Sequence, residues 1–481
     1  MSITLEGEYT TAELLVDDES LIEENCRKQI RQLINHPAFT EPVRIMPDAH
    51  WGAGAPVGFT MSLPDKVVPN IVGVDVGCGM AATNLGDELP LSHPEREELV
   101  RDIVPMGHSV HDYDDAPHLV DEFPFDRANE VFEAFDDAYE EQFGRSIDPL
   151  GFDFSGYDGE YFKALCERVL SRQRQGMGHV IKSAGTLGGG NHFIEFAKAR
   201  ESGEYWLVIH SGSRYLGKSV AEYWQHKASQ YRNADAIRET IPAEYTQFLK
   251  FDPETVSDHD LYEWVTGGKG ESHLRKAKIR EELDGKAVEE AFDSLSRPHE
   301  QVEERNEELD WLDEREAHGY YVDMLFAQQY ARWNRQLMGD AICDALAIDP
   351  VDRVESIHNY IDFVDLTIRK GATPAREGQR LIIPFNMADG SILARGKGAD
   401  GWNETAPHGA GRVMGRRDAH EQLSVEAFEQ EMEGIYSESV VESVVDEAPM
   451  AYKSTDAIAE AIEPTAEIID WLDVVHNLKA R

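Results

Sequence analysis

The sequence predicts a single domain that combines helices with strands, and three observations support this prediction. Short apolar runs bounded by polar residues and glycines, such as YWLVIH at 205–210, are typical of strands. Longer segments repeat their apolar residues at helical spacing, as in LIEENCRKQIRQLIN at 21–35. The 481 residues contain no internal repeat, low-complexity segment or flexible linker. One elaborated domain is therefore favoured over several.

Taken in order, the chain predicts a short strand and a helix within residues 1–40. Glycine-interleaved strands follow between 46 and 86, where glycines allow the strand ends to approach a ligand or another backbone closely. The run FIEF at 193–196 predicts another strand, and residues 319–346 predict a long helix whose apolar spacing suits the core. Residues 380–398 predict an apolar strand, a turn and a basic loop. A helix that ends near Lys479 is predicted to close the chain.

Two segments, 112–175 and 232–316, are strongly acidic and partly helical in pattern, which is typical of solvated helices. Acidic residues outnumber basic ones 91 to 46 over the whole chain, for a formal charge of -45. Such a surface opposes nonspecific nucleic-acid binding, and we interpret it as a halophilic adaptation. Residues 391–417 are the exception, because they hold five basic residues and two acids. This local excess of positive charge predicts a specific anionic ligand.

The sequence predicts a soluble, cytoplasmic protein without a membrane partner. It has no apolar run of the roughly 18 residues that a membrane span needs, and its first residues lack the blocks of a signal peptide. The four cysteines, Cys26, Cys78, Cys166 and Cys343, are scattered without CxxC spacing. A disulfide framework and a zinc finger are therefore disfavoured.

The stretch 402–417, WNETAPHGAGRVMGRR, contains the histidine best placed to react. His408 lies between Pro407 and a Gly-Ala-Gly turn, so a large ligand can approach its imidazole closely. Arg412 and Arg416 would share a helix face if a helix began after Gly411, and their guanidinium groups suit phosphate oxygens. A glycine-rich turn with a solvated basic helix start is the alternative interpretation.

Candidate metal ligands are spread along the chain. Asp75 and Cys78 stand three residues apart among glycines and can converge on one metal ion, although a buried inert cysteine is the alternative. Three glycines precede His192, in a loop whose amides could cradle phosphates or form a plain turn. His210 closes an apolar strand, which is a typical place for a ligand, while His358 alone is typical of a structural histidine.

Together these runs resemble the RtcB family of RNA-splicing ligases, in the family's order and over nearly the whole chain. The motifs that carry the resemblance are MPDAHWGAG (46–54), VGVDVGCGM (72–80), GTLGGGNHFIEF (185–196), HSGSR (210–214), YVDMLFAQQYARWNR (321–335), SIHNYIDF (356–363), PFNMADGS (384–391), APHGAGR (406–412) and DEAPMAYK (446–453). The resemblance implies one α+β domain over residues 1–481, with central β-sheets flanked by helices. The segments 112–175 and 232–316 would be insertions into it.

The resemblance also implies roles for individual residues. His408 would be the nucleophile that takes GMP from GTP, and two manganese ions would be bound, with Cys78 bridging them. The implied metal ligands are Asp75, Cys78, His192, His210 and His358. The implied nucleotide-binding residues are Asn191, Phe193, Glu195, Asn359, Ser391, Tyr452 and Lys479. Arg412 and Arg416 would lie near RNA phosphates. Tyr215 and Gly415 depart from the family pattern, which has glycine and serine there, and this puts the RNA path or pocket shape in doubt.

The implied reaction joins an RNA 2′,3′-cyclic phosphate or 3′-phosphate end to a 5′-hydroxyl end, in tRNA splicing or RNA repair. The implied cofactors are GTP and two Mn²⁺ ions, and the family often uses archease as an activating partner. Two other functions are considered. A two-metal phosphohydrolase or nuclease would need neither GTP nor a covalent histidine. An RNA-end binding scaffold would have lost catalysis.

Overall fold

The computed structural model describes residues 2–149, 152, 154–171, 173–266, 271–302 and 307–481, which form a mixed α+β fold as predicted. The strands are β1 (Ile3–Glu6), β2 (Thr11–Leu14), β3 (Val43–His50), β4 (Val57–Ser62), β5 (Lys66–Val67), β6 (Gly79–Gly86), β7 (Phe193–Ala199), β8 (Tyr205–Ser211), β9 (Leu312–Asp313), β10 (Asp352–Ile357), β11 (Asn359–Asp362), β12 (Thr367–Lys370), β13 (Ala372–Pro374), β14 (Arg380–Asn386), β15 (Gly390–Gly396), β16 (Thr405–Pro407) and β17 (Ala466–Leu478).

The helices lie around these strands. They are α1 (Glu24–Ile34), α2 (His93–Ile103), α3 (Leu119–Glu122), α4 (Phe125–Phe143), α5 (Gly159–Val169), α6 (Met177–Ser183), α7 (Arg214–Arg232), α8 (Ala234–Thr240), α9 (Asp258–Thr266), α10 (Lys276–Glu282), α11 (Lys286–Ser296), α12 (Glu316–Leu346), α13 (Arg416–Gln422), α14 (Val425–Glu431) and α15 (Thr455–Ala461). The helices predicted near residues 21–35 and 319–346 are thus confirmed as α1 and α12.

Two sheets form the centre of the molecule. One has six strands in the order β1-β2-β3-β4-β12-β11, and the other has seven in the order β10-β6-β8-β7-β17-β15-β14. Neighbours pair antiparallel except β2 and β3, which are parallel. The amide of Ile382 in β14 donates to Oγ of Ser356 in β10 at 2.8 Å. The two edges of the seven-stranded sheet therefore approach each other, and the sheet nearly closes on itself.

A small ladder of β13 and β16 joins the two sheets. Ala372 of β13 pairs with Pro407 of β16, directly before His408. Strand β16 packs against β3 of the six-stranded sheet, and β13 packs against β10 of the seven-stranded sheet. Residues that follow β16 therefore lie where side chains from both sheets can meet.

Helix α12 anchors the loops at this junction. It spans 31 residues and is buried along most of its length, because apolar side chains occur on all its faces. The Asn334 side chain donates to the carbonyl of Gly212 at 3.1 Å, and Arg335 donates to the carbonyls of Gly77 at 2.7 Å and Ser211 at 2.9 Å. The loop before Cys78 and the end of strand β8, which carries His210, are thus hydrogen-bonded to one helix.

The prediction of a C-terminal helix ending near Lys479 is wrong. Residues 455–461 form the short helix α15, but β17 then extends over 13 residues. Burial in β17 alternates with a period of about two, as in a strand, and it pairs with β7 on one side and β15 on the other. The prediction of a basic loop near 391–398 is also incomplete, since most of this segment is strand β15.

In the part of the chain that the structure describes, no helix is both long enough and apolar enough to span a membrane.

Candidate active site

The ends of neighbouring strands bring the five predicted metal ligands together. Cys78 directly precedes β6, His192 directly precedes β7, and His210 lies in β8 between them. His358 lies between β10 and β11, and its amide donates to the Cys78 carbonyl at 2.9 Å. Asp75 is held by the turn in which the Cys78 amide donates to its carbonyl at 3.2 Å. Residues far apart in sequence thus converge where strands β6, β7, β8 and β10 of the seven-stranded sheet begin or end.

The side-chain donor atoms form two groups that share one thiol. Sγ of Cys78 lies 3.2 Å from Nε2 of His210, which in turn lies 3.2 Å from Nε2 of His358. Sγ also lies 3.5 Å from Nε2 of His192, and that nitrogen lies 2.8 Å from Oδ2 of Asp75. Each group of three has its ligand atoms within 4.8 Å of one another and could hold a metal ion.

The backbone orients two of these imidazoles for coordination. Nδ1 of His192 lies 2.9 Å from the Leu187 carbonyl, and Nδ1 of His210 lies 3.2 Å from the Asn191 carbonyl. A carbonyl oxygen only accepts, so Nδ1 must carry the proton in both rings and donate it. The Nε2 lone pairs are therefore left for a metal ion, an arrangement common around protein metal sites.

The chemistry of these donors fits a bound divalent cation. Burial lowers the pKa of His210 and His358 well below the usual value, so both rings are neutral. Burial and Asp75 raise the pKa of the Cys78 thiol well above its usual value. Several lone-pair donors thus face one another at short range, which is unfavourable until a cation lies among them. A cation would also favour the thiolate form of Cys78.

His408 lies next to this cluster and is oriented by a buried acid. Its ring centroid is 4.7 Å from that of His358. Its Nδ1 lies 2.8 Å from Oδ2 of Asp48, which belongs to β3 and has no exposed surface. A carboxylate only accepts, so Nδ1 carries a proton and donates it to Asp48, and the tautomer of the neutral ring that fits this contact has its lone pair on Nε2. Asp48 was not predicted as a site residue, although it lies in the quoted motif MPDAHWGAG.

Close backbone approach explains the glycine in the loop after His408. Gly411 has φ +73°, and a Cβ there would lie 2.1 Å from the Asp48 carbonyl oxygen. Any other residue would push the loop off β3. Nζ of Lys453 donates to the carbonyls of Pro47 at 3.1 Å and Ala49 at 2.8 Å, on either side of Asp48. The strand that orients His408 is thus held from two directions.

Four of the predicted nucleotide-binding residues lie in one region beside the metal ligands. The Phe193 ring packs edge-on against His210 with centroids 5.5 Å apart, and Nζ of Lys479 lies 5.7 Å from the Phe193 centroid. Glu195 is buried on β7 and accepts a hydrogen bond from Asn477 at 3.0 Å. Tyr452 and Lys479 both bond to one oxygen of Glu447, at 2.8 Å and 3.0 Å.

The other three predicted nucleotide-binding residues are not joined to this region by side-chain contacts in the described residues. Ser391 is buried on β15, and its Oγ has no hydrogen-bond partner there. Asn359 accepts from the Gly371 amide at 2.9 Å, and Asn191 is exposed beside His192.

Arg412 and Arg416 do not share a helix face, so that prediction is wrong. Helix α13 begins at Arg416, because residues 411–413 instead pair with residues 451–453, as in the bond from the Val413 amide to the Ala451 carbonyl at 2.9 Å. The two arginines meet on Glu447, at 3.3 Å from Arg412 and 2.6 Å from Arg416. The basic character expected for this stretch is therefore partly neutralised by buried acids.

The two departures from the family pattern lie away from the proposed ligands. The Tyr215 hydroxyl donates to Gln173 at 3.4 Å and accepts from the Gln175 amide at 3.3 Å, so it ties α7 to the segment before α6. Gly415 is the residue before α13, and a Cβ there would meet Asp418 at an ordinary contact distance of 3.5 Å. Nothing in the structure requires glycine at 415.

Comparisons with known proteins find relatives that match most of the chain. The family model described as tRNA-splicing ligase RtcB matches residues 29–258 and 283–480. The RNA-splicing ligase RtcB of Escherichia coli (strain K12) is 26% identical over 484 residues, covering 95% of each chain. The tRNA-splicing ligase RtcB of Nanoarchaeum equitans is 24% identical, covering 92% of this chain and 88% of its own. That of Pyrobaculum aerophilum is 26% identical, with coverages of 87% and 83%.

The match to the family model covers most of the chain and includes every predicted metal ligand, the predicted nucleophile His408 and both arginines. The chain belongs to the RtcB family of tRNA-splicing ligases, and it is an enzyme of that family.

Proposed function

We propose that this enzyme is a GTP- and manganese-dependent RNA ligase that works through a covalent GMP adduct on His408. It would join a 2′,3′-cyclic phosphate or 3′-phosphate end to a 5′-hydroxyl end. One observation carries the proposal: the His408 ring lies 4.7 Å from that of His358, beside the candidate metal ligands, while its Nδ1 contacts the Asp48 carboxylate. A neutral histidine beside cations suits attack on a phosphate group.

His408 performs the first chemical step in this proposal. Its Nε2 lone pair attacks the α-phosphorus of GTP, the new N–P bond forms, and the bond from that phosphorus to the pyrophosphate oxygen breaks. The positive charge that develops on the ring is stabilised by the Asp48 carboxylate at Nδ1. Pyrophosphate leaves, and GMP remains on His408.

Two Mn²⁺ ions would be held by Asp75, Cys78, His192, His210 and His358. Both groups of candidate ligands contain Cys78, which supports its role as the shared ligand. Bound metal ions would neutralise phosphate charge and so lower the barrier to attack by a nucleophile. Ligand softness alone favours zinc over manganese, so manganese rests on the family resemblance.

The guanine would be bound by the region around Phe193, Glu195, Tyr452 and Lys479. The Lys479 ammonium is a hydrogen-bond donor, which suits the O6 acceptor of guanine. The Glu195 carboxylate can accept from the N–H donors of the same base. Ser391 offers a buried hydroxyl whose Oγ has no partner in the described residues. Asn191 and Asn359 would contact the nucleotide beside the ligands His192 and His358.

RNA would then be joined in the steps that the family resemblance implies. Water first opens a cyclic phosphate end to a 3′-phosphate, and the bond from phosphorus to the 2′-oxygen breaks. An oxygen of that phosphate displaces His408 from the GMP phosphorus, and the 5′-hydroxyl finally displaces GMP to seal the strand. Arg412 and Arg416 would bind RNA phosphates. The names of the relatives point to tRNA as a substrate, and archease would be the activating partner.

We also propose that segments 112–175 and 232–316 are insertions in one domain over residues 1–481, in a cytoplasmic protein. The family model leaves residues 259–282 unmatched, which supports an expansion in the second segment. The first segment lies within the matched residues, so its assignment rests on its acidic composition.

The proposal is tested by incubating the protein with α-labelled GTP and MnCl2 and measuring covalent GMP by gel and mass spectrometry. We expect one GMP on His408 in the parent protein. His408→Ala should abolish the adduct while leaving metal content unchanged, because His408 is not among the candidate ligands. His118→Ala, which changes an exposed histidine outside the site, is the matched control and should form the adduct normally.

The outcome also separates the alternatives. Strand cleavage or phosphate release without GTP would indicate a two-metal hydrolase. RNA binding without either reaction would indicate a non-catalytic scaffold. A normal adduct on His408→Ala would contradict the proposed nucleophile directly.

A further inference from the structure

One buried carboxylate joins the two halves of the proposed substrate site. Glu447 is 3% exposed and uses its two oxygens differently. Oε2 accepts from Tyr452 at 2.8 Å and Lys479 at 3.0 Å, the side chains proposed to bind guanine. Oε1 lies 3.3 Å from Arg412 and 2.6 Å from Arg416, the side chains proposed to bind RNA phosphates.

We propose that Glu447 is a positioning residue that couples guanine binding to the phosphate-binding arginines. This inference rests on the proposed function, because it assigns Glu447 to the nucleotide and RNA sites named there. Glu447 touches neither the metal ligands nor His408 in the described contacts. It acts by setting the positions of the four side chains that share its carboxylate.

The geometry of the carboxylate supports coupling over simple charge neutralisation. The two oxygens belong to one rigid, planar carboxylate group, so the acceptors of the two sets of side chains cannot move independently. A shift of Arg416 must therefore tilt the carboxylate and move the acceptor of Lys479 and Tyr452. The Arg412 guanidinium also lies over the Tyr452 ring, with Cζ 5.1 Å from its centroid. The two sets are thus in contact twice.

Glu447 is charged throughout the range of an activity assay. Burial acts to raise its pKa, but Lys479, Arg416 and Arg412 outweigh that effect and lower it to about 2. Charge-assisted hydrogen bonds inside a protein are among the stronger ones. The coupling is therefore a constant property of the site and needs no change of protonation.

The more exposed side of the network is Arg416, which has 46% of its side chain exposed and also bonds to Asp446 at 2.6 Å. An RNA phosphate that binds Arg416 would weaken the ion pair between Arg416 and Glu447. The hydrogen bonds from Lys479 and Tyr452 to Glu447 would then change. Occupancy at the RNA side would in this way alter affinity at the guanine side.

Guanosine provides a sharp test because it has a guanine base and no phosphate. Its inhibition constant is measured for GMP adduct formation, so any effect of an arginine on that constant cannot come from direct phosphate binding. Arg416→Gln should raise the guanosine inhibition constant about fivefold, and Glu447→Gln should raise it about tenfold. In the double variant, the further effect of Arg416→Gln should disappear, since its route to the base has been removed.

Asp323→Asn is the matched control. Asp323 is a fully buried acid on α12 that accepts from Tyr161 at 2.8 Å, Arg168 at 2.5 Å and Trp224 at 2.7 Å, so it is a comparable hub away from the proposed site. Replacing this carboxylate with an amide should lower the melting temperature without changing the guanosine inhibition constant. If Glu447→Gln does not fold, the guanosine inhibition constants of Arg416→Gln and Asp323→Asn are compared instead, and this comparison still tests the coupling.

Three results would overturn the inference. Arg416→Gln could raise KM for GTP and leave the guanosine constant unchanged, which would indicate direct phosphate binding alone. The control could raise that constant as much as the site variants do, which would indicate general loosening. Arg416→Gln could raise the guanosine inhibition constant by the same factor in the parent protein and in Glu447→Gln. If the parent protein forms no adduct at all, the proposed function fails and this inference fails with it.

Discussion

In the proposed mechanism, the contact between Asp48 and His408 determines which nitrogen of the histidine attacks GTP. Asp48→Asn preserves size but can present an amide N–H to Nδ1, which favours the tautomer with its proton on Nε2. We expect adduct formation to slow by about 10²–10⁴-fold, as when the acid that orients a catalytic histidine is replaced by its amide. The measurement is the rate of labelled GMP incorporation at saturating GTP.

The matched readout is metal content. Asp48 is not a candidate ligand, so Asp48→Asn should bind the same number of metal ions as the parent protein. An unchanged rate of adduct formation would mean that His408 does not depend on this contact.

Glu195 gives a pH dependence whose direction follows from its burial. Burial raises its pKa from 4.5 to about 8, against the lowering effects of Asn477 and Lys479. The free protein therefore holds Glu195 protonated at neutral pH, whereas a guanine bound as proposed would need a carboxylate acceptor for its donors. Binding should release this proton below about pH 8, so KM for GTP should fall as pH rises from 6 to about 8.

Glu195→Gln isolates this effect because it cannot titrate. The variant should bind GTP more weakly, by about tenfold, and should lose the part of the pH dependence that belongs to Glu195. The parent and the variant are compared by KM for GTP in adduct formation at each pH. Equal pH profiles would show that another group is responsible.

At the residue scale, the sequence could predict the types of side chain in the site but not their partners. Histidines, a cysteine and arginines in glycine-rich motifs indicated metal and phosphate chemistry. The partners Asp48 and Glu447 were missed, although both lie in quoted motifs, because their roles depend on long-range contacts. Asp48 and His408 are separated by 360 positions, and only folding brings them together.

At the element scale, β17 shows why one prediction failed. Its apolar residues fit either a helix or a strand, and short apolar segments do not distinguish the two by spacing. The neighbours decide the outcome, since β7 and β15 supply hydrogen-bond partners along both edges. The start of α13 was misjudged for a similar reason, because residues 411–413 pair with residues 451–453. Such pairing cannot be read locally.

The strand assignment of β17 can be tested by two substitutions three residues apart. Leu472 is fully buried, whereas Ile469 is 37% exposed. In a helix they would share a face, but in this strand they do not. Leu472→Ala should lower the free energy of unfolding by about 2–5 kcal/mol, and Ile469→Ala by less than about 1 kcal/mol. Urea denaturation measures both, and equal losses would contradict the strand.

At the scale of the whole molecule, the acidic segments are more than a solvated exterior. Phe135 of α4 and Phe162 of α5 are fully buried in the largest apolar core, together with residues of α12. The composition predicted helices and exposed acids correctly in these segments. It did not predict their contribution to the core, because an amphipathic helix shows which face is apolar and not what it covers.

The net charge of -45 predicts that stability depends on salt. Repulsion among surface carboxylates acts over about 10 Å in 0.1 M salt but only about 3 Å in 1 M salt. The melting temperature should therefore rise when KCl increases from 0.1 to 2 M.

On α4, the acids Glu133, Asp137 and Glu141 are exposed and spaced four residues apart, so each faces a like charge one turn away. Replacing these three by their amides should raise the melting temperature most in low salt and so reduce its salt dependence. A melting temperature that does not change with KCl would show that the acidic surface is not a halophilic adaptation.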